Sequence, residues 1–329
     1  MSRAAAGYPW LVADIGGSNA RFGWVAGPGQ AVQHVRKLAV ADHATLEAAV
    51  HAYMAMAGLG VDGVGGPRRA ALAVATAVAG DRVELTNSHW SFSRQQLQAA
   101  LGLEALLLLN DFEALALSLP RLGAQQLRAH GVLPQPAGCL AVIGPGTGLG
   151  VAGVVQTRQG WVALPGEGGH ATLAPANDFE SELLALVRRD HAHVSAERLL
   201  SGIGLPTLHS AVSSLLGLGP VQRSAEQIVE AALAGSDVAS LRSIEQFCAF
   251  LGGFAGNVAL TLGARGGVYI GGGIVPRLGE LFFRSEFRAR FEAKGRFQAY
   301  LGQIPTALIT DTLVALEGAS QALAQLSDD

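Results

Sequence analysis

The sequence predicts an α/β protein of two halves, each a mixed sheet flanked by helices. Three observations carry that expectation. The chain has 329 residues, half of them apolar and 15% charged, which is too long for one small domain and apolar enough to fill large buried sheets. Four leucines from Leu106 to Leu109 stop at Asn110 and Asp111, after which Phe112, Leu115, Ala116 and Leu119 recur at helical spacing. That reads as a buried strand, two polar residues at its carboxyl end, and a helix start. Finally, a strand–glycine turn–strand arrangement occurs over residues 11–25 and again over 139–155, as a duplicated half would give.

Composition narrows the function classes. A net charge of -3 provides no basic field for nucleic acid or for an anionic membrane. Cys139 and Cys248, the two cysteines, lie far apart in apolar settings. They read as buried reduced thiols, with no disulfide framework and no Cys-based zinc site. Arg3 and a short apolar stretch faintly resemble a signal peptide, but Pro9 interrupts the stretch and Asp14 follows it. No run reaches the ~18 apolar residues of a membrane span. The expectation is a cytoplasmic protein with no nucleic-acid or membrane partner.

Taken in order, Leu11–Ile15 is a strand, Gly16 and Gly17 form a turn, and Asn19–Val25 is the returning strand. Gly-Gly between two such runs signals a hairpin, unlike the phosphate loops whose glycines open a helix. Such a turn either reverses the chain or offers bare N–H groups to phosphate, with Asp14 before it and Ser18 after it. The carboxylate would then reach a phosphate-bound Mg2+. Residues 41–57 read as a helix, 58–67 as a glycine-rich loop, 70–78 as a strand and 82–88 as containing another. Ser93 caps a short helix through Leu101. The leucine strand follows. In open α/β sheets the carboxyl edge is where ligand crevices form, so Asn110 and Asp111 read either as a helix cap or as an amide and a carboxylate offered to a ligand.

Residues 120–138 form a Pro-containing connection and the expected domain boundary. Cys139–Ile143, the glycine loop Gly144–Gly150 and Val151–Val155 then repeat the opening of the chain. Two such turns raise the phosphate reading above what either supports alone, and Thr147 adds a hydroxyl. In Leu164–His170 the glycines let Glu167 and His170 turn the same way. A metal site is disfavoured there, since no regular helix and no third ligand are evident. A polyol pocket suits the pair, as does a loop salt bridge.

Asp178–Arg189 reads as an amphipathic helix. Ser195 reads as the cap of the next, Ala196–Leu200, which puts Glu197 in a first turn where the dipole favours a carboxylate regardless of function. Helices are expected over 205–216 and 224–233, the latter opened by a Ser224/Gln227 capping box. Val238–Leu262 is a long apolar helix, buried in the fold or at a subunit interface, with Gly252–Gly256 suiting close approach. Gly267–Pro276 reads as strand, glycines, then a helix through Phe283. Its small residues would let a flat ring approach the backbone, as an adenosine seat requires. Residues 284–297 read as amphipathic, Thr306–Thr310 as the last strand, and Leu313–Leu326 as a terminal helix packing back on the first half.

Several of these stretches together resemble the bacterial ATP-dependent glucokinases of the hexokinase type. They are Asp14–Arg21, Leu85–Trp90, Asn110–Phe112, Gly144–Gly150, Leu164–His170, His193–Arg198 and Gly271–Arg277, and the resemblance covers nearly the whole chain. It implies a two-domain actin-like ATPase (ribonuclease H-like) α/β fold, with mixed sheets flanked by helices and a cleft between the domains. Residues 1–120 would form the small domain, completed by the C-terminal helix 311–329, and residues 121–310 the large one. Transfer of the γ-phosphoryl of ATP to the 6-hydroxyl of D-glucose is the implied reaction. Asp111 becomes the general base, and Asn87, Asn110, Glu167, His170 and Glu197 glucose ligands, so the purely structural reading of Glu197 is replaced. Asp14, Gly16, Gly17, Ser18 and Asn19 become the first phosphate loop, Gly146, Thr147 and Gly148 the second, and Gly271, Gly272 and Gly273 the adenosine flank. Mg2+ would arrive with ATP, without direct protein ligands and with Asp14 nearby.

There are departures. Ala13 stands where a glycine is expected, and Ser18 where a threonine is usual. Leu313–Gly318 replaces a Gly-Leu-rich turn, which leaves the C-terminal nucleotide contacts open. The cysteine-rich zinc motif of the related repressor and kinase branch is missing. A kinase for another hexose or an N-acetylated amino sugar would use the same machinery. A non-catalytic sugar sensor is disfavoured because no basic helix-turn-helix precedes Leu11. The apolar 238–262 helix and the resemblance both favour a homodimer.

Overall fold

A computed structural model describes residues 7–60, 65–76, 78, 80–85, 88–219 and 221–326. Along the chain come β1 (Trp10–Ile15), β2 (Asn19–Val25), β3 (Gln33–Ala39), α1 (Leu46–Met56), β4 (Arg69–Val74), β5 (Arg82–Glu84), β6 (Ser91–Ser93), α2 (Arg94–Ala100), β7 (Ala105–Asn110) and α3 (Asp111–Ser118). They are followed by β8 (Leu127–Ala129), β9 (Cys139–Pro145), β10 (Leu149–Thr157), β11 (Gly160–Gly166), α4 (Asp178–Val187), α5 (Leu205–Leu215), α6 (Ala225–Leu233) and α7 (Val238–Leu262). The chain closes with β12 (Gly267–Ile270), α8 (Val275–Leu278), α9 (Glu280–Arg284), α10 (Phe287–Glu292), α11 (Gln298–Gly302), β13 (Thr306–Ile309) and α12 (Val314–Leu326). Two compact units result. One draws on residues up to Arg121, Arg158–Pro165 and the end of the chain from Thr312. The other comprises Leu122–Thr157 and Gly166–Asp311.

In the first unit the sheet runs β3-β2-β1-β4-β7. The β1/β2 and β2/β3 pairs are antiparallel, and β1/β4 and β4/β7 are parallel. Ile15 is in register with Val74, and Val74 with Asn110. The carboxyl ends of β1, β4 and β7 therefore finish level, with the Gly16–Gly17 turn and the Asn110–Asp111 pair at one edge of one sheet. Leu11, Ala13, Phe22, Leu72, Leu106 and Leu108 pack one face against Val50, Tyr53 and Met54 of α1. The other face, with Trp10, Val12 and Ala71, packs against Leu316, Ala319 and Leu323 of α12. A Cβ on Gly318 would overlap the Ala114 carbonyl of α3, so the divergent segment before α12 leads into a close helix contact. Gln325 Nε2 also donates to the Trp161 carbonyl, at 2.6 Å.

The structure corrects the expected elements here in three places. The helix expected from Ala41 starts at Leu46, because Thr45 accepts the Ala48 N–H as N-cap and residues 40–42 form a short 3-10 helix instead. Strand β3 has no counterpart in the sequence reading, since its polar, largely exposed residues at a sheet edge carry no alternation. The strand expected to reach Val78 ends at Val74.

The second unit repeats the plan. Its strands run β10-β9-β12-β13-β8. The β9/β10 pair is antiparallel, and β9/β12 and β12/β13 are parallel, so β10-β9-β12-β13 matches β2-β1-β4-β7 in order and direction. Strand β8 adds an antiparallel edge and lies within what read as a plain connection. Helix α7 spans the residues expected of it, and its Phe247, Cys248, Phe250 and Leu251 are core beside Phe282, Phe287 and Phe291. A Cβ on Gly252 would overlap the Phe287 carbonyl, which is the close approach its glycines suggested. The apolar face of α7 is thus used inside its own unit, and it no longer argues for a subunit interface. The helix expected through Phe283 is broken at Gly279 into α8 and α9, and the amphipathic stretch 284–297 opens, after Ser285, with the short α10. The helix expected over Ala196–Leu200 is absent; this segment is a series of turns.

Candidate active site

At the sheet edge of the first unit, the turn after β1 closes with the Gly16 N–H donating to the Asn19 carbonyl at 2.9 Å, and the Val40 N–H donating to the Ser18 carbonyl at 3.0 Å. Asp14 faces Arg21 across the hairpin, with Arg21 Nη1 donating to Oδ2 at 3.1 Å. Burial pushes the Asp14 carboxyl above the usual range, against the pull of Arg21. At the end of β7, Asn110 is the N-cap of α3, its Oδ1 accepting the Phe112 N–H at 2.9 Å, and its Nδ2 donates to the Thr76 carbonyl at 3.3 Å. Asp111 is the first residue of α3, and its Oδ1 accepts the same Phe112 N–H at 2.9 Å. The cap reading therefore belongs to Asn110, while helix geometry fixes the backbone beneath Asp111. Burial pushes Glu113, in the same turn, upward. Asn87 lies outside the described residues.

In the second unit the corresponding edge is built from β9 and β12. The Gly146 N–H donates to the Gly148 carbonyl at 2.9 Å, the Gly271 N–H to Ile143 at 2.8 Å and the Ile274 N–H to Pro145 at 3.2 Å. The loop after β12 is thereby tied to the turn after β9. A cavity of about 220 Å³ lies against both, lined by Gly146, Thr147, Gly273 and Ile274 together with Ala225, Glu226, Val229 and Arg277. Two of the three glycine sites thus meet at one cavity. Its backbone-rich, partly apolar wall can take a flat ring with phosphates beyond it. A larger cavity of about 730 Å³ lies against α5 and the start of α6 and holds none of the residues expected to bind sugar or nucleotide.

The Glu167 and His170 loop enters a short 3-10 helix at Gly168–His170, with both side chains exposed. His170 faces Glu197 rather than Glu167, with Nε2 3.9 Å from Glu197 Oε1. The Glu167–His170 salt bridge is therefore not what the loop forms. Glu197 is not in a helical first turn. Its Oε2 accepts the Leu149 N–H at 2.8 Å, just beyond the Gly146–Gly148 turn, while its own N–H donates to the Gly169 carbonyl at 2.9 Å. The dipole explanation of Glu197 falls, and a carboxylate held between two glycine loops replaces it.

The sequence reading did not single out Arg21, Glu226, Arg277 or the Leu149 N–H. Arg21 was hidden by the register: a two-residue Gly16–Gly17 turn would set Asp14 opposite Asn19, whereas the observed pairing sets it opposite Arg21. Glu226 and Arg277 reach the cavity only through tertiary packing of α6 and α8.

Among the described residues, no group of three or more His, Cys, Asp or Glu side chains is arranged to hold a metal ion. Asp14 offers one largely buried carboxylate beside a turn of backbone donors. That donor set fits an ion such as Mg2+, which keeps its waters and takes further oxygens from phosphate.

Two α/β units, each opening on a strand–glycine turn–strand and sharing one sheet order, define the actin-like ATPase fold. A family model described as Glucokinase matches residues 11–326. Glucokinase of Aromatoleum aromaticum is 50% identical over 317 residues, 96% of this chain and 95% of the relative. Glucokinase of Neisseria meningitidis is 44% identical, covering 97% of this chain and 95% of the relative. The crystal structure of a glucokinase from an Antarctic psychrotroph superposes with a TM-score of 0.88 at 36% identity, covering 96% of this chain and 98% of the other. The chain belongs to the glucokinase family.

Proposed function

We propose that the chain is an ATP-dependent hexose kinase that transfers the γ-phosphoryl of ATP to the 6-hydroxyl of D-glucose, giving glucose 6-phosphate and ADP. The observation that carries the reading is the meeting of the Gly146–Gly148 turn and the Gly271–Gly273 loop at one cavity, in a chain half identical to a glucokinase over nearly its full length. The second unit's loops hold adenosine and phosphates, with Glu226 and Arg277 at the cavity. Glu167, His170 and Glu197 accept and donate hydrogen bonds to the sugar hydroxyls. From the first unit, Asn110 and Asn87 contribute sugar contacts, and Asp111 accepts the proton of the 6-hydroxyl as its oxygen attacks phosphorus. The Gly16–Asn19 turn donates backbone N–H groups to phosphate oxygens. Asp14 would stand beside Mg2+ arriving with ATP, and the ion would supply positive charge to offset that of the phosphate oxygens. Such transfers depend mainly on positioning and charge stabilisation, and a base of this kind contributes ~10²–10⁴-fold.

No helix among the described residues is long and apolar enough to cross a membrane. The cytoplasm is the proposed location because the proposed reaction consumes ATP. A homodimer now rests on the family resemblance alone, and sedimentation of the purified chain tests it. The decisive assay is ADP release with ATP or polyphosphate against glucose, fructose, mannose and N-acetylglucosamine. Preferential turnover of glucose with ATP is expected. Preference for the N-acetylated sugar would move the chain to the alternative kinase class, and glucose binding without turnover of any sugar would make it a sensor.

A further inference from the structure

We infer that Glu197 is a positioning residue through which sugar occupancy sets the shape of the phosphate turn, so that glucose and ATP bind interdependently. The inference rests on reading the Glu167–His170 loop as the sugar site and the Gly146–Gly148 turn as the phosphate site.

The carboxylate divides its two oxygens between these loops. Oε2 accepts the Leu149 N–H at 2.8 Å, immediately after the phosphate turn. Oε1 looks toward His170 Nε2 at 3.9 Å, beyond hydrogen-bonding distance. The segment carrying Glu197 is itself stitched to both sides. Ala196 N–H donates to the Ala171 carbonyl at 2.8 Å and Glu197 N–H to Gly169 at 2.9 Å. Gly202 N–H donates to Gly146 at 2.8 Å and Ile203 N–H to Thr147 at 3.3 Å. The fit leaves no slack. A Cβ on Gly148 would sit 2.5 Å from Glu197 Oε2, and one on Gly169 would overlap the Leu149 carbonyl. Three loops therefore form one tied cluster, and Glu197 is the side chain that spans it.

A sugar hydroxyl donating to Oε1 would give the second oxygen a partner and restrict the carboxylate, which steadies the Leu149 N–H and the turn before it. By linkage, whatever sugar does for the nucleotide, nucleotide does for the sugar. The geometry assigns a role at both substrates to a group that touches only one of them.

The test is calorimetric affinity for a non-hydrolysable ATP analogue with Mg2+, with and without saturating glucose, for the full chain and three variants whose melting temperatures are checked first. For the unmodified chain, glucose should tighten analogue binding by about 5-fold or more. Glu197→Ala should weaken analogue binding without sugar and abolish the glucose response. Glu197→Gln retains an acceptor for the Leu149 N–H, so it should restore sugar-free analogue affinity while glucose binding stays weak. Gly148→Ala, a change in the phosphate turn, should weaken glucose binding, and it remains informative if Glu197→Ala does not fold. The inference is overturned if Glu197→Ala weakens glucose alone and leaves analogue affinity and its glucose response intact. It also fails if no variant alters glucose binding, in which case the sugar-site reading fails with it.

Discussion

The two glycine hairpins share strand order, direction and turn chemistry, yet they are held in different ways. The Gly16–Asn19 turn of the first unit is closed by its own backbone and by Val40, next to β3, with the Asp14–Arg21 ion pair across its strands. The Gly146–Gly148 turn of the second unit is gripped from outside, by Gly202, Ile203 and the Glu197 carboxylate. A Cβ at Gly16 would meet the Asn19 carbonyl at 3.5 Å, an ordinary contact, whereas one at Gly148 would press on Glu197 at 2.5 Å. One repeat is a self-contained turn, proposed as a phosphate nest beside the proposed base Asp111. The other is tied into a cluster of loops proposed to serve sugar and nucleotide together.

If that division is right, damage at Asp111 should appear in the chemical step, damage at the first hairpin in ATP alone, and damage at the second hairpin in the sugar as well. The largest effect should come from Asp111→Asn, which removes the proton acceptor while keeping the shape of the helix start. It should lower kcat by about 10²–10⁴-fold with glucose affinity and melting temperature nearly unchanged, and near-normal turnover in steady-state kinetics would break the division. Gly148→Ala should raise the glucose KM by about tenfold or more, as loss of a hydrogen bond to a charged group implies. Gly16→Ala should leave the glucose KM within about twofold, its effect falling on ATP. Equal effects of the two on glucose would erase the difference between the hairpins. Glu167→Gln should raise the glucose KM severalfold and spare kcat, since an exposed loop carboxylate contributes to holding the sugar more than to the transfer.

The smallest expected effect separates stability of the second unit from its function. His130 packs against Phe283 and Phe287, with ring centroids 4.7 and 5.3 Å away. Burial, followed by Arg288 and Arg128, lowers its pKa to about 4. The unfolded chain protonates this ring near pH 6.5, before the folded one does, so stability is full above that pH and is lost as pH falls toward 4. His130→Phe should reduce the fall in melting temperature between pH 7 and pH 5 without changing KM for either substrate. An unaltered pH dependence would count against the buried neutral ring.

Much of this was legible in the sequence for definite reasons. Glycine pairs between apolar runs mark the hairpins, and a leucine run ending in Asn110 and Asp111 marks a strand edge. What could not be read was decided by partners distant in the chain. Ser195–Leu200 has the cap and the apolar residues of a helix, yet the Gly202 and Ile203 N–H groups donate to Gly146 and Thr147 where a continuing helix would use Arg198 and Leu199, so tertiary pairing overrides local propensity. Strand β3 hid because its polar residues line an edge. Glu226 and Arg277 join the cavity beside the Gly146–Gly148 turn only when α6 and α8 pack together. The family resemblance assigns Glu197 to the sugar where the local pattern reads a structural carboxylate, and its bond to the Leu149 N–H beside the Gly146–Gly148 turn is a tertiary contact that no local pattern shows.

Phosphorus NMR of a reaction containing ATP, Mg2+ and glucose tests the central claim most directly, because it identifies where the phosphoryl group goes. Glucose 6-phosphate and ADP appearing in equal amounts, with little inorganic phosphate, is the predicted result. ADP with free phosphate and unchanged sugar, or no reaction at all, would contradict it.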